Sequence, residues 1–275
     1  MTASRLILVL AGITLLSGIA QAEAPAPFAV KVPGTGELVY CTVYPPRVAP
    51  GTKAGLVVHL YGHGGSNVVF NIGRPPFDIL RRRITESGYW LVVPDLGPRH
   101  WMNDAAVAKL DAVIAEWIQK EDVDPARVHL IGTSMGGSSS LIYVMRRPGK
   151  IKSVVAIFPI TDHVRFFADA PNYRPSVGEA HHVTEAGREA QLRAISPRYH
   201  PEAFRSTPVF LLHGAKDDTV DVAHSREFFA ELQKQGSPAV YRESPGEKHR
   251  DEIVITFQDE IADFLTKPAT APGKE

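Results

Sequence analysis

From residue 37 onward the chain alternates between two hydrophobic periods. Short apolar runs of strand character are followed by stretches with an apolar residue every three or four positions. Residues 37–44 alternate and read as a first strand, one arm of a hairpin. Residues 56–61 are a continuous apolar run, the pattern of a parallel strand covered on both faces. A glycine-rich turn follows, then a helix over 77–87 closed by Gly88, then a strand over 89–93 stopped by Pro94 and Asp95. Asn103 is placed to cap the next helix, where Val107, Leu110, Ile114 and Ile118 recur at helical spacing. A strand over 128–131 runs into a helix over 135–145. Further strands are expected at 153–158, 209–212 and 239–243, and helices at 222–235 and 251–265. The last helix starts with Ile253, Val254, Ile255 and Thr256, which favour a strand locally, so its start depends on tertiary packing.

Strands alternating with helices of this length predict an α/β fold, a mostly parallel sheet with helices on both faces. One stretch breaks the rhythm. Residues 159–207 hold little strand pattern, one helix at about 184–194, and Phe166, Phe167, Tyr173, His181 and His182. Ligands of open α/β sheets bind outside the carboxyl ends of the strands. A segment leaving a strand end there is expected to form a small cap or lid; the plain alternative is a long surface crossover. Residues 23–36, rich in proline, alanine and glycine, read as a loose leader, and the tail from Lys267 reads as disordered.

The first 22 residues change the picture of where the protein works. Arg5 precedes an apolar stretch over 6–19, and Ala20-Gln21-Ala22 is a small-x-small cleavage site. This is the pattern of a secretory signal peptide cut after Ala22, which leaves 23–275 as one domain in the periplasm or outside the cell. No later run is long and apolar enough to span a bilayer. Acidic and basic residues balance, 30 against 30, which argues against nucleic acid as a partner. Cys41 is the one cysteine, so no internal disulfide is available. Its alternating surroundings make it an apolar filler rather than a reactive thiol.

Three loops carry the chemistry. The strand at 128–131 leads into Gly132-Thr133-Ser134-Met135-Gly136, a G-x-S-x-G turn that exposes a serine at the start of a helix. A serine hydroxyl needs a base and an orienting acid to become a nucleophile. The strand at 209–212 ends in a loop holding Asp217, Asp218 and Asp221, each able to orient a histidine. The loop before the last helix carries His249, a candidate base for Ser134. Each signal has an innocent reading, since acids in a polar loop and one of eleven histidines on a surface are ordinary. Serine, acid and histidine each directly after a strand is a joint pattern that unrelated loops rarely produce. The amide of Met135 is one expected oxyanion donor. The second is the amide of His63 in the Gly62–Gly65 loop, with Gly64 as the alternative. Tyr61, Gly64, His100, Trp101 and Phe166 are the candidates for touching substrate. Phosphate-binding glycine patterns, H-E-x-x-H and paired cysteines are absent from the sequence, so no cofactor and no metal is expected.

These segments resemble the α/β-hydrolase superfamily over essentially the whole chain after residue 22. GTSMGG looks like its nucleophile elbow at Ser134, PGEKH like its histidine loop at His249, and LYGHGGS like its oxyanion loop with Tyr61 in place of the usual histidine. LLHGAKDDTV resembles the HG-x-x-D-x-x-V segment, which implies that Asp217 is the acid. Ala194-Ile195-Ser196-Pro197 upstream of that strand is similar to the prolyl-oligopeptidase-like and dienelactone-hydrolase-like branch. The chain as read is too short to hold the propeller domain of such peptidases. The resemblance implies a secreted serine hydrolase acting on carboxylic esters, either small molecules or polymer-derived. A peptidase or amidase is the alternative. A non-catalytic binding protein on the same fold would be expected to lack one of the three residues.

Overall fold

The computed structural model describes residues 26–47, 49, 52–68, 75–120 and 123–267. The expected signal peptide at 1–22 lies outside them. The strands among the described residues are β1 (Ala26–Lys31), β2 (Leu38–Tyr44), β3 (Ala54–Leu60), β4 (Tyr89–Pro94), β5 (Val123–Thr133), β6 (Ser153–Ile157), β7 (Val209–Gly214) and β8 (Ala239–Ser244). They form one sheet in the order β1-β2-β4-β3-β5-β6-β7-β8. The β1/β2 and β2/β4 pairings are antiparallel, and all pairings from β4 to β8 are parallel.

The unbroken apolar runs are explained by what covers each face. Successive strand residues point to opposite sides. Leu56, Val58 and Leu60 share one core with α2 (Asp104–Lys120), α3 (Met135–Arg146) and α7 (Ala223–Lys234). Val57 faces the other way, into a core with α1 (Pro75–Glu86) and α8 (Ile253–Thr266). Both faces are covered, so both sets of alternating residues are mostly apolar, with buried His59 the exception. Asn103 caps α2 as expected, its side-chain oxygen accepting the Ala106 amide at 3.0 Å. The strand-prone start of α8 is helical because Ile253 and Val254 are buried against the sheet.

Two expectations are corrected. The loose leader at 23–36 holds β1. Val30 is buried and the Phe28 ring packs edge-on against Trp117 at 5.1 Å, an alternation obscured by the surrounding small residues and proline. The stretch at 159–207 carries three α-helices, not one: α4 (His163–Asp169), α5 (Arg174–His181) and α6 (Arg188–Ala194). Helices α4 and α5 are too short to show helical periodicity, and α4 begins at a side-chain cap, with Asp162 accepting the Arg165 amide at 3.0 Å. This segment is tied to α7 by charge. Glu227 pairs with Arg165 at 3.2 Å and Arg198 at 2.6 Å, and buried Asp162 accepts from Arg198 and Tyr199, each at 3.0 Å.

Candidate active site

β5 ends and α3 begins with one residue between them. That residue is Ser134, whose backbone has φ 55° and ψ −121°. A left-handed φ at a side-chain-bearing residue is costly and persists only where its surroundings enforce it. Close backbone packing does so here. A Cβ on Gly132 would lie 2.2 Å from the Gly136 carbonyl oxygen, and one on Gly136 would lie 2.0 Å from the Leu60 oxygen. The glycines let the turn close on itself and on the end of β3. The Ser134 amide donates to the Ile157 carbonyl at 2.9 Å, which ties the elbow to β6.

The three sequence candidates meet at this point. Ser134 Oγ lies 3.0 Å from His249 Nε2, and His249 Nδ1 lies 2.7 Å from Asp217 Oδ2. A proton on Nδ1 facing the carboxylate leaves Nε2 free to accept from the serine hydroxyl. Of the three acids, Asp217 is the one that reaches the imidazole. Asp218 pairs with Lys248 at 3.0 Å, and Asp221 with Arg165 at 3.1 Å. Burial pushes the Asp217 carboxyl up, but hydrogen bonds from His213 and His249 outweigh it and hold the group well below the usual carboxylate range.

The two candidate amides of the glycine-rich loop differ in their partners. Gly64 has φ 80° and donates its amide to the Pro98 carbonyl at 2.7 Å, so that N–H is already committed. The His63 and Met135 amides have no carbonyl partner among the described residues. The His63 ring packs against Tyr173 at 5.1 Å and Trp101 at 5.8 Å. Burial and then the nearby Arg99 guanidinium lower its basicity.

The substrate candidates separate. Trp101 and Phe166 are buried and join Tyr173 in one aromatic cluster, with centroids 5.9 Å apart for Trp101 and Phe166 and 5.3 Å for Phe166 and Tyr173. Trp101 also bolts the segment at 159–207 to the body. Its Nε1–H donates to Ser176 Oγ at 3.1 Å, and its carbonyl accepts from His181 Nε2 at 2.9 Å. Tyr61 and His100 are engaged by the loop that follows β4. The Tyr61 hydroxyl accepts from the Leu96 amide at 2.9 Å and the Gly97 amide at 3.1 Å and donates to Asp95 at 3.0 Å. The His100 ring is buried edge-on against Tyr61, and its Nδ1 accepts the Met102 amide at 3.1 Å. Both hold the loop that follows β4.

Three residues at the site are not among the sequence candidates. Phe158, with φ 37°, places its ring 4.3 Å from the His249 ring. His213 and Ser225 lie behind Asp217, with His213 Nδ1 2.7 Å from Ser225 Oγ. His213 stands inside the motif read for its aspartate, so the motif held the signal but not its meaning.

The sequence profile of the prolyl oligopeptidase family matches residues 99–270. The chain belongs to the prolyl oligopeptidase family. Its fold is the α/β-hydrolase fold. A puromycin-hydrolyzing peptidase of Mycobacterium tuberculosis superposes with a TM-score of 0.76 at 21% identity, over 92% of this chain and 41% of that one. An uncharacterized secreted protein of Arthroderma benhamiae is 31% identical over 52% of this chain and 15% of its own length. The S-formylglutathione hydrolase of Mus musculus is 26% identical over 52% of this chain and 48% of its own. The match to this prolyl oligopeptidase family member thus spans less than half the length of each of these three relatives. Among the described residues no helix is long and apolar enough to cross a membrane.

Proposed function

We propose that the protein hydrolyses carboxylic esters through an acyl-enzyme formed on Ser134. The observation that carries this reading is the hydrogen-bonded line from Ser134 Oγ through His249 to Asp217, at 3.0 and 2.7 Å. His249 takes the Ser134 proton as Oγ attacks the carbonyl carbon. Asp217 orients the imidazole and stabilises the imidazolium. The amides of Met135 and His63 receive the developing oxyanion. His249 then returns the proton to the leaving alcohol, and a water repeats the sequence to release the acid. The aromatic cluster of Trp101, Phe166 and Tyr173 offers the acyl group an apolar wall, and on this reading the segment at 159–207 is the cap that carries it.

Two observations favour a second reading, peptidase or amidase. One is the family match itself. The other is Arg99, an exposed cation near His63 that suits a peptide carboxylate. Export is part of the proposal too. It rests on the leader pattern at 1–22 and is supported by the secreted fungal relative. Burial pushes the Cys41 thiol up to about 12, which suits a filler rather than a nucleophile.

A fluorophosphonate probe tests the nucleophile. Native protein is expected to be labelled and Ser134→Ala not; equal labelling of both would remove Ser134 from the reaction. Asp217→Asn is expected to lower turnover on the order of 10⁴-fold. A series of acyl esters set against aminoacyl amides then decides between the two substrate classes.

A further inference from the structure

The acid of the site has a second partner that the mechanism above does not use. His213, at the end of β7, is fully buried. Its Nε2 lies 2.9 Å from the Val220 carbonyl, which can only accept, so the proton is on Nε2. The same N–H reaches Asp217 Oδ2 at 3.2 Å. Its Nδ1 must then accept, and Ser225 Oγ, itself buried, supplies the hydrogen at 2.7 Å. Asp217 Oδ2 also faces His249 Nδ1 at 2.7 Å, and Ser134 Oγ follows 3.0 Å from His249 Nε2. Two serine–histidine arms therefore converge on one carboxylate oxygen. The other oxygen, Oδ1, is filled by the amides of Thr219 at 2.9 Å and Val220 at 2.8 Å.

We propose that His213 is a positioning residue for the hydrolysis, holding Asp217 from behind and moderating its pull on His249, with Ser225 fixing the His213 tautomer. The physical reason is competition for one oxygen. Each donor to Oδ2 draws off part of its negative charge. With His213 in place, Asp217 orients His249 without making the imidazolium too stable to give its proton up. Without it, Oδ2 faces His249 alone, the imidazolium is held more tightly, and the neutral base needed for attack appears only at higher pH. The titratable groups whose fields reach His213 are Asp217 on its own loop, His224 on α7 and Glu243 on β8. His249 faces Asp217 and is flanked in sequence by Lys248, which is paired with Asp218, and by Arg250. The buried Phe158 ring is near both imidazoles, 4.3 Å from His249 and 6.4 Å from His213.

The proposal rests on the reading of Ser134 as nucleophile, so the test separates the two. Fluorophosphonate labelling of Ser134 is followed from pH 5 to 9 for native protein, His213→Phe, His213→Gln and Ser225→Ala. Failure of native protein to label at Ser134 would overturn the nucleophile and with it this proposal. If native protein labels, His213→Phe is expected to raise the acid limb of the rate profile by about one pH unit and to lower the plateau about tenfold. His213→Gln, whose amide still donates, is expected to return the limb toward the native position. Ser225→Ala is expected to move it in the same direction as His213→Phe but less, and it decides the matter if His213→Phe does not fold. A limb that stays in place in the folded variants, whatever the plateau, would reduce His213 to a packing residue.

Discussion

The Phe158 ring centroid lies 4.3 Å from that of His249, tilted by 51°. The contact exists because Phe158 leaves β6 with φ 37°, a turn that aims its side chain at the imidazole. Its amide is held by the Leu212 carbonyl at 2.7 Å. A bulky residue in that backbone region is strained, so the neighbouring strands must hold it there. Phe158→Ala is expected to cost about 3–5 kcal/mol of stability, because the site is closed and cannot collapse. It is also expected to slow fluorophosphonate labelling about tenfold, because His249 loses the wall that sets its ring plane. Urea unfolding and labelling rate read the two effects separately. Native-rate labelling in a destabilised but folded variant would show that the ring only fills space.

Gly136 sits where α3 touches the end of β3. An added Cβ would meet the Leu60 carbonyl at 2.0 Å and the Tyr61 carbonyl at 2.6 Å, both backbone atoms that cannot rotate away. Gly136→Ala must separate the nucleophile turn from the oxyanion loop. A displacement of about 1 Å costs about 10²-fold in an aligned site, so labelling is expected to fall at least that far. Gly178, in the middle of α5, is the control, since a Cβ there meets nothing within 4 Å. Gly178→Ala is expected to add about 0.5–1 kcal/mol of stability and leave labelling alone.

The elements that organise the sheet are readable wherever both faces of a strand are buried. Residues 56–58, 60, 61 and 209–212 each fill one core or the other, and only buried His59 interrupts the apolar run. Strand β1 is not readable, since only Phe28 and Val30 signal it among prolines and alanines. Helices α4 and α5 escape for a related reason: seven or eight residues give two turns, too few to repeat a pattern. At the candidate site, the meeting of Ser134, Asp217 and His249 is legible because each follows a strand end on the same edge of the sheet. The backbone angles of Ser134 and Phe158 are not, because neither is a glycine. Nor is the second arm on Asp217, because a buried histidine and serine look like core packing until their nitrogens and oxygen are placed.

Tyr61 is the plainest departure from the superfamily's oxyanion loop, and its hydroxyl explains it. It joins the loop after β4 to the oxyanion strand through Asp95, Leu96 and Gly97. Tyr61→Phe leaves the buried Leu96 N–H without a partner, an omission worth about 1–3 kcal/mol. The same loop supplies the Pro98 carbonyl that holds Gly64, so the oxyanion turn loosens with it. Thermal unfolding is expected to show the loss, and kcat on a small ester is expected to fall more than KM rises. A change confined to KM would place the hydroxyl against the substrate instead.

Acid is expected to unfold this protein through its histidines as well as its carboxylates. Burial lowers His59, His100 and His129 to about 3 and His224 to about 4. In the unfolded chain each returns to the ordinary value near 6.5. Between these limits the unfolded state binds protons that the folded state refuses, so stability falls as pH drops below about 6.5 and stops falling on this account near 3 to 4. Each such histidine adds a slope approaching about 1.4 kcal/mol per pH unit within that window. Urea midpoints measured from pH 7.5 down to 4.5 are expected to fall steeply. His129→Gln keeps a partner for Ser153, whose Oγ lies 2.8 Å from His129 Nδ1, and removes one titrating ring. It is expected to flatten the dependence by up to that one increment, whereas an unchanged slope would mean that His129 already takes up its proton in the folded protein.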